Sequence, residues 1–306
     1  MREVRWIPVA TLSNGHEFGL SVHSVQGSGD GPRVGVVAGA HGDEPLTVET
    51  VRRLLLELEH LPLRGTVTAI PCMNPYALHA LARHTPVDGA DLNRQFPGDP
   101  DGTFSQQLAH VIWQEVSTWD YLIDYHGSGN DSTVDYLYMH DDEPLAKSFG
   151  CEVLYQGISH PGSLGRIATD NGIPSLVSEL GGGQQRNTYY LEKGVRGGLN
   201  VLKHLDLLDG EPELPDRQVV ITEKVMMMAH NGGLMVSEFD AANLCQTVSK
   251  DTVLARIYDT AALEEIEMVR APFDESILVL VRDRFSTVDA GDYCFIAANG
   301  AGARVA

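Results

Sequence analysis

Four short runs rich in β-branched residues, each closed by glycine, proline or polar residues, constrain the fold of this chain more than any other feature. They are Arg33–Ala38, Gly65–Ile70, Tyr121–Tyr125 and Pro174–Ser178. Amphipathic stripes at three- and four-residue spacing separate them. Val51, Leu54, Leu55 and Leu58 form the first, and Phe104, Leu108, Val111, Ile112 and Val116 the second, with Thr103 or Ser105 available as its cap. Leu191, Val195, Leu199, Leu202 and Leu205 follow the last run as a third. Strands alternating with helices in this way predict an α/β domain built on a mostly parallel central sheet.

The rhythm breaks at the acidic segment Asp209–Asp216, where Pro212 and Pro215 forbid a continuing helix. Beyond it, runs such as Gln218–Thr222 and Ser276–Val281 are parted by Gly, Asn and Asp turns with little helical periodicity. Two domains are therefore expected: residues 1–208 as the α/β domain and residues 217–306 as a small β domain. The turns Ala271–Asp274 and Asp289–Asp292 echo biotinyl and lipoyl carrier domains, but Glu267-Met268-Val269 stands where such a carrier needs its modifiable lysine. A structural or pocket-covering role is the better expectation.

Composition excludes several classes of function. A formal charge of −20 repels phosphate backbones and anionic lipid surfaces, so neither nucleic acid nor a membrane is expected as a partner. No run approaches the roughly 20 apolar residues of a membrane span. The first residues lack the apolar stretch of a signal peptide, which makes cytoplasmic residence the expectation. Cys72, Cys151, Cys245 and Cys294 are far apart and form no Cys-x-x-Cys pair, arguing for buried small side chains rather than a disulfide framework. A homo-oligomer is compatible with all of this.

Open α/β sheets bind ligands beyond the carboxyl ends of their strands. There the first run leads into Gly39-Ala40-His41-Gly42-Asp43-Glu44. A turn into the next helix would bring His41 and Glu44 onto one metal ion, and His126, ending the third run, supplies the further imidazole of a His₂Glu zinc set. Asp124 shares the face of His126 and could support it. Water activated at such a metal needs a base, for which Glu179, just past the fourth run and before Gly181-Gly182-Gly183, is the candidate. Between these elements lies a polar, turn-rich segment. Within it Arg83 could polarise a scissile carbonyl, while Asn93 and Arg94 could grip a carboxylate.

The motifs His-Gly-Asp-Glu at 41–44 and Asp-Leu-Asn-Arg at 91–94, with His126 and the Glu179 segment in that order, resemble the zinc carboxypeptidase-like succinylglutamate desuccinylase/aspartoacylase family. The resemblance implies a mixed sheet flanked by helices and a barrel-like appendage that narrows the site. It implies one Zn²⁺ on His41, Glu44 and His126, Glu179 as general base and proton donor, Arg83 on the carbonyl, and Asn93 with Arg94 on a substrate carboxylate. The activity implied is hydrolysis of a small N-acylated amino acid or amine, of acetyl or succinyl type. Arg166 and the pair Tyr189-Tyr190 are candidates for the residues that close the pocket.

Plainer readings stand beside these. Glu179 could be a buried carboxylate paired with an arginine, and Asn93 a turn residue. The same residues could serve a metallocarboxypeptidase acting on short peptides, or a silent binding protein. Met226-Met227-Met228 is expected to fill core, Glu264–Glu267 to be a solvated charge run, and His84, His160 and His230 to lie on surfaces or make ordinary hydrogen bonds.

Overall fold

The computed structural model describes residues 2–157, 159–183 and 185–306. In chain order it contains β1 (Arg2–Thr11), β2 (Glu17–Gln26), β3 (Ser28–Ala38), α1 (Pro45–Leu58), β4 (Arg64–Ile70), α2 (Pro75–Ala80), α3 (Phe104–Val116) and β5 (Tyr121–His126). There follow β6 (Ser132–Tyr138), α4 (Glu143–Ser148), β7 (Val153–Tyr155), α5 (Leu164–Asp170), β8 (Ser175–Gly181), α6 (Asn187–His204), β9 (Val219–Ile221) and β10 (Lys224–Met228).

The four expected strands lie within β3, β4, β5 and β8, which run parallel at the centre of the sheet in the order β4-β3-β5-β8. Antiparallel neighbours flank them, β2 on one side and β6 on the other, so the sheet is mixed. The hairpin of β1 and β2 goes beyond the expected strands. Its first strand is mostly exposed, and its apolar run Trp6–Ala10 contains Pro8, which argues against a strand when read from sequence alone and here stands at a break in the pairing register.

Alternation along each strand feeds two cores. Val34 and Val36 pack with Leu54, Leu55 and Leu58 of α1 and Val201 and Leu202 of α6. Val37, with Ile70 and Leu122, packs on Leu108, Ile112 and Val116 of α3 and Leu164 of α5. Each fully buried leucine here contributes about 2 kcal/mol. Thr103, not Ser105, caps α3: its N–H bonds Gln106 Oε1 at 2.9 Å, while Ser105 Oγ donates to Asp88 and lies 2.8 Å from Thr85 Oγ1. No helix is long and apolar enough to cross a membrane.

After residue 216 the chain adds strands to the same sheet and builds a second one. Strand Glu275–Arg282 pairs antiparallel with β6, Leu280 opposite Val134, and is followed outward by Tyr293–Asn299 and β10. Gly233–Ser237, Val253–Tyr258, Glu265–Arg270 and Phe285–Val288 form a separate antiparallel sheet of four. The methionine run departs from the expectation of core packing. It lies on β10, where Met226 is 50% and Met228 40% exposed, because that strand has a neighbour on only one edge. Cys151 and Cys294 are buried, whereas Cys72 and Cys245 are only partly so.

Asp135, Glu152 and Cys245 are close enough together to suggest a cation site. The cation is the chain's own. Lys193 of α6 donates to both oxygens of Asp135, at 2.7 and 2.8 Å, and to Glu152. Burial pushes the Asp135 carboxyl up, and the lysine opposes that rise. Replacing Lys193 by Met leaves this buried carboxylate without its partner and is expected to lower unfolding free energy by about 3–5 kcal/mol, measured by urea titration. A loss below about 1 kcal/mol would show that the pair is not what joins α6 to β6.

Candidate active site

The loop after β3 is shaped by two glycines. Gly39 has φ +67°, a left-handed conformation that turns the chain out of the strand, and a Cβ at Gly42 would lie 1.9 Å from the backbone of Ala77 in α2. The loop therefore packs directly against α2, and His41 and Glu44 point inward. Glu44 occupies the N-cap of α1 but makes no capping bond with its side chain. Its carboxylate is committed elsewhere: Oε1 lies 2.7 Å from His41 Nδ1, and Oε2 lies 3.3 Å from His126 Nδ1 and accepts from the Gly127 N–H at 3.2 Å. All three residues are buried.

The two imidazoles turn their Nδ1 atoms toward one point and are held from behind through Nε2. Asp91 Oδ1 is 3.1 Å from His41 Nε2, and Asp124 Oδ1 is 3.3 Å from His126 Nε2. Carboxylates behind histidines orient a ring and strengthen it as a donor. Burial opposes charge on His126, yet Asp124 and Glu44 outweigh it and raise its pKa well above the usual imidazole range. Burial likewise works against Glu44, and the two histidines still hold its carboxyl far below the ordinary carboxylate range.

This donor set fits a metal. His41, Glu44 and His126 each offer one nitrogen or oxygen atom, all within 4.8 Å of one another. Two nitrogens, a carboxylate and an accessible cavity match a catalytic zinc site with a position left open. Asp124 supplies independent support. It is fully buried, neither of its oxygens has a well-formed hydrogen bond, and a cation held by His126 would balance its charge.

Glu179 stands beside this trio because β5 and β8 pair His126 with Glu179, and β8 and β6 pair Glu179 with Tyr136. It lies inside β8, which continues to Gly181, and its open side faces the cavity. Burial pushes its carboxyl up to about 7; Glu44 adds to the rise, while His126, Lys224 and His41 act against it. Its neighbours in the sheet are an imidazole and a phenol, and no ion pair of Glu179 with an arginine is formed among the described residues.

Arg83 reaches the same point, with Nη1 3.5 Å from His41 Nδ1 and 3.7 Å from Glu44 Oε1, and Nη2 donating to Asp91 at 3.2 Å. Asn93 is largely buried. Its Oδ1 accepts from the Leu164 N–H at 2.9 Å, which fixes the amide orientation and turns Nδ2 toward His126 Nε2 at 3.2 Å. Asn93 also lines the cavity. Arg94 donates to the Asn93 carbonyl at 2.8 Å and lines the cavity.

The cavity measures about 280 Å³ and brings together all seven candidate residues. Its wall also includes Lys224, Met226, Leu280, Tyr293 and Ile296 from beyond residue 216. Neither set of candidate closing residues reaches it. Arg166 pairs with Asp170 one helical turn away, at 2.7 Å, a match visible in the sequence as i,i+4 charges. Tyr190 is buried in the α6 core, and Tyr189 lies under Arg186, 4.0 Å from guanidinium to ring centroid. His160, in contrast, is an exposed residue of the cavity wall. The residues that sequence reasoning left unassigned are Asp91, Tyr136, Tyr138 and Lys224. Asp91 alone had a signal, as the acidic first position of Asp-Leu-Asn-Arg.

Comparison with known proteins identifies relatives of the chain. The N-alpha-acetyl-L-2,4-diaminobutyric acid deacetylase of Halomonas elongata is 29% identical over 250 residues, covering 76% of this chain and 72% of that one. A solved succinylglutamate desuccinylase/aspartoacylase of Rhodobacter sphaeroides superposes with a TM-score of 0.84 at 26% identity, over 97% of this chain and 95% of the other. An ectoine utilization protein of Ruegeria pomeroyi shares the fold, with a TM-score of 0.84 at 22% identity over 98% and 95%. Residues 30–205, which contain His41, Glu44, His126 and Glu179, match the succinylglutamate desuccinylase/aspartoacylase catalytic domain, and the chain belongs to that family of deacylases.

Proposed function

We propose that this protein is a zinc-dependent deacylase that hydrolyses the amide bond of a small N-acylated amino acid or amine. The observation that carries this reading is the juxtaposition, in one cavity of about 280 Å³, of the His41, Glu44 and His126 donors with the Glu179 carboxylate. Zinc bound there would polarise the acyl carbonyl and make the attacking water more acidic.

The remaining roles fall to the chain. Glu179 removes a proton from the attacking water, whose oxygen bonds the acyl carbon. The same carboxyl then protonates the departing nitrogen as the C–N bond breaks, releasing a free acid and an amine. A carboxyl with a pKa near neutrality suits both transfers. Arg83, part exposed and aimed at the donor trio, steadies the negative charge on the carbonyl oxygen. Arg94 and the side-chain amide of Asn93 hold a substrate carboxylate. Residues from the strands after residue 216 close part of the cavity wall, which favours a small substrate over an extended peptide. The deacetylase activity named for the Halomonas elongata relative favours an acetyl-type acyl group.

The test is amine release from N-acetyl, N-succinyl and N-formyl amino acids and diamines, and from short peptides, with zinc supplied or chelated. Zinc-dependent cleavage of one acyl class is expected. Cleavage of peptides alone would replace this reading with a metallocarboxypeptidase, and no turnover of any amide by zinc-loaded protein would defeat it.

A further inference from the structure

Strand Glu275–Arg282 ends in an arginine that is only 7% exposed, opposite Ser132 at the start of β6. Its guanidinium grips both sides of this junction. Nη1 donates to the Tyr293 carbonyl at 2.9 Å, and Nη2 donates to the Thr287 carbonyl at 3.1 Å and to the Asp131 carboxylate. A second carboxylate is near: Asp292 Oδ2 lies 3.8 Å from Nη2. Arginine is rarely buried without a partner, and here two are at hand. Their side chains are equally exposed, at 45% each, so what separates them is the segment each belongs to. Asp292 sits in the turn before Tyr293, whereas Asp131 ends the loop that borders the metal donors.

That loop, Gly127–Asp131, leads directly out of His126. The Gly127 N–H donates to Glu44 Oε2 at 3.2 Å, and the Ser128 N–H donates to the Gly181 carbonyl at 3.1 Å. Gly127, Ser128 and Gly129 line the cavity, as does Tyr293. Two glycines give the loop little stiffness of its own. Its far end is held from the strands after residue 216, where the Asp283 N–H donates to the Asp131 carbonyl at 2.7 Å beside the Arg282 contact. Hydroxyls carry the link inward: Ser132 Oγ lies 2.6 Å from Ser128 Oγ and 3.4 Å from the Tyr293 hydroxyl. One buried guanidinium therefore spans the loop that orients a metal donor and the strand that carries a residue of the cavity wall.

We infer that Arg282 is a positioning residue for hydrolysis: through Asp131 it fixes the loop Gly127–Asp131, and through that loop the Gly127 N–H that aims Glu44. This rests on the deacylase reading of the same cavity. Arg282 is not among the residues that line the cavity, so its effect travels through the loop and through the Tyr293 backbone rather than by contact with substrate. The strands after residue 216 then do more than cover the site; they set the geometry of one of its metal donors.

The two carboxylates provide a matched test. Asp131→Asn and Asp292→Asn each remove one equally exposed charge from beside the same guanidinium, but only the first releases the loop. Asp131→Asn is expected to weaken zinc affinity, read by competition with a chelating dye, by about 10-fold and to lower kcat/KM on N-acetyl amino acids by about 10- to 100-fold. Asp292→Asn keeps the wild-type values. Arg282→Met falls at least as far as Asp131→Asn, and Arg282→Lys, which restores the charge but not the planar fork, recovers part of the loss. Asp131→Asn keeps the inference open to refutation even if Arg282→Met fails to fold. Equal losses in Asp131→Asn and Asp292→Asn overturn it, because they would report only the charge balance of a buried arginine. Unchanged zinc affinity in Asp131→Asn, in a protein whose wild type cleaves amides, overturns it and leaves the deacylase reading standing. A wild type that neither binds zinc nor cleaves any amide overturns both.

Discussion

Glu179→Gln is expected to lower kcat by roughly 10²- to 10⁴-fold while the protein keeps one equivalent of zinc and a near-normal KM. Glutamine preserves the size and much of the polarity of the side chain but can neither accept the proton of water nor pass one to the leaving nitrogen. Zinc retention follows from geometry: the proposed donors are His41, Glu44 and His126, and Glu179 is a register neighbour of one of them rather than a member of the set. The pH profile gives a second readout. Only ionised Glu179 acts as a base, so activity falls as pH drops through its pKa. The chain alone sets that value at about 7, chiefly through burial, and a divalent cation nearby pulls it lower. The acid limb of kcat/KM in zinc-loaded enzyme therefore lies below pH 7, and in Glu179→Gln the residual rate loses it. A variant with near-wild-type turnover and an unaltered acid limb would remove Glu179 from the mechanism.

What the sequence made legible follows from how locally each feature is encoded. His41 and Glu44 are three residues apart behind a β-branched run, and His126 closes another such run, so a parallel sheet delivers them to one edge whatever the loops between them do. The pairing of β5 with β8 then sets Glu179 alongside. Lys224 and Tyr136 were not legible, because 87 intervening residues and the pairing of β10 onto the strands beyond β6 bring them together, and nothing in either local pattern announces it. The methionine run misled for a related reason: hydrophobic character says what can be buried, while exposure of β10 is decided by its place at the end of a sheet. Asn93 was read as a substrate grip or a turn residue. The structure gives it a third employment: its Oδ1 accepts from the Leu164 N–H and holds the first turn of α5 beside His126.

The second large effect concerns the metal donors. His126→Ala removes one nitrogen from a three-donor set and leaves Asp124 and Glu44 as buried carboxylates without the imidazole between them. The expected outcome is loss of bound zinc and of activity down to background. Stability reports the same event without any substrate. A ligand that binds only the folded state stabilises it by RT ln(1 + [L]/Kd), about 4 kcal/mol at a thousandfold excess over Kd, so zinc should raise the Tm of wild-type protein and leave that of His126→Ala unmoved. Protons compete for the same nitrogens. Because Asp124 and Glu44 hold the His126 pKa well above the usual range in metal-free protein, burial notwithstanding, zinc must displace a proton there. Its affinity is therefore expected to tighten by about tenfold per pH unit between pH 6 and 8 for each proton released, as measured by competition with a chelating dye. Asp91→Asn acts more gently, weakening zinc affinity by roughly 10- to 100-fold through the ring of His41 while excess zinc restores turnover. A zinc affinity indifferent both to pH and to His126→Ala would place the metal elsewhere and leave the buried His41, Glu44 and His126 cluster as an ion-pair network without catalytic purpose.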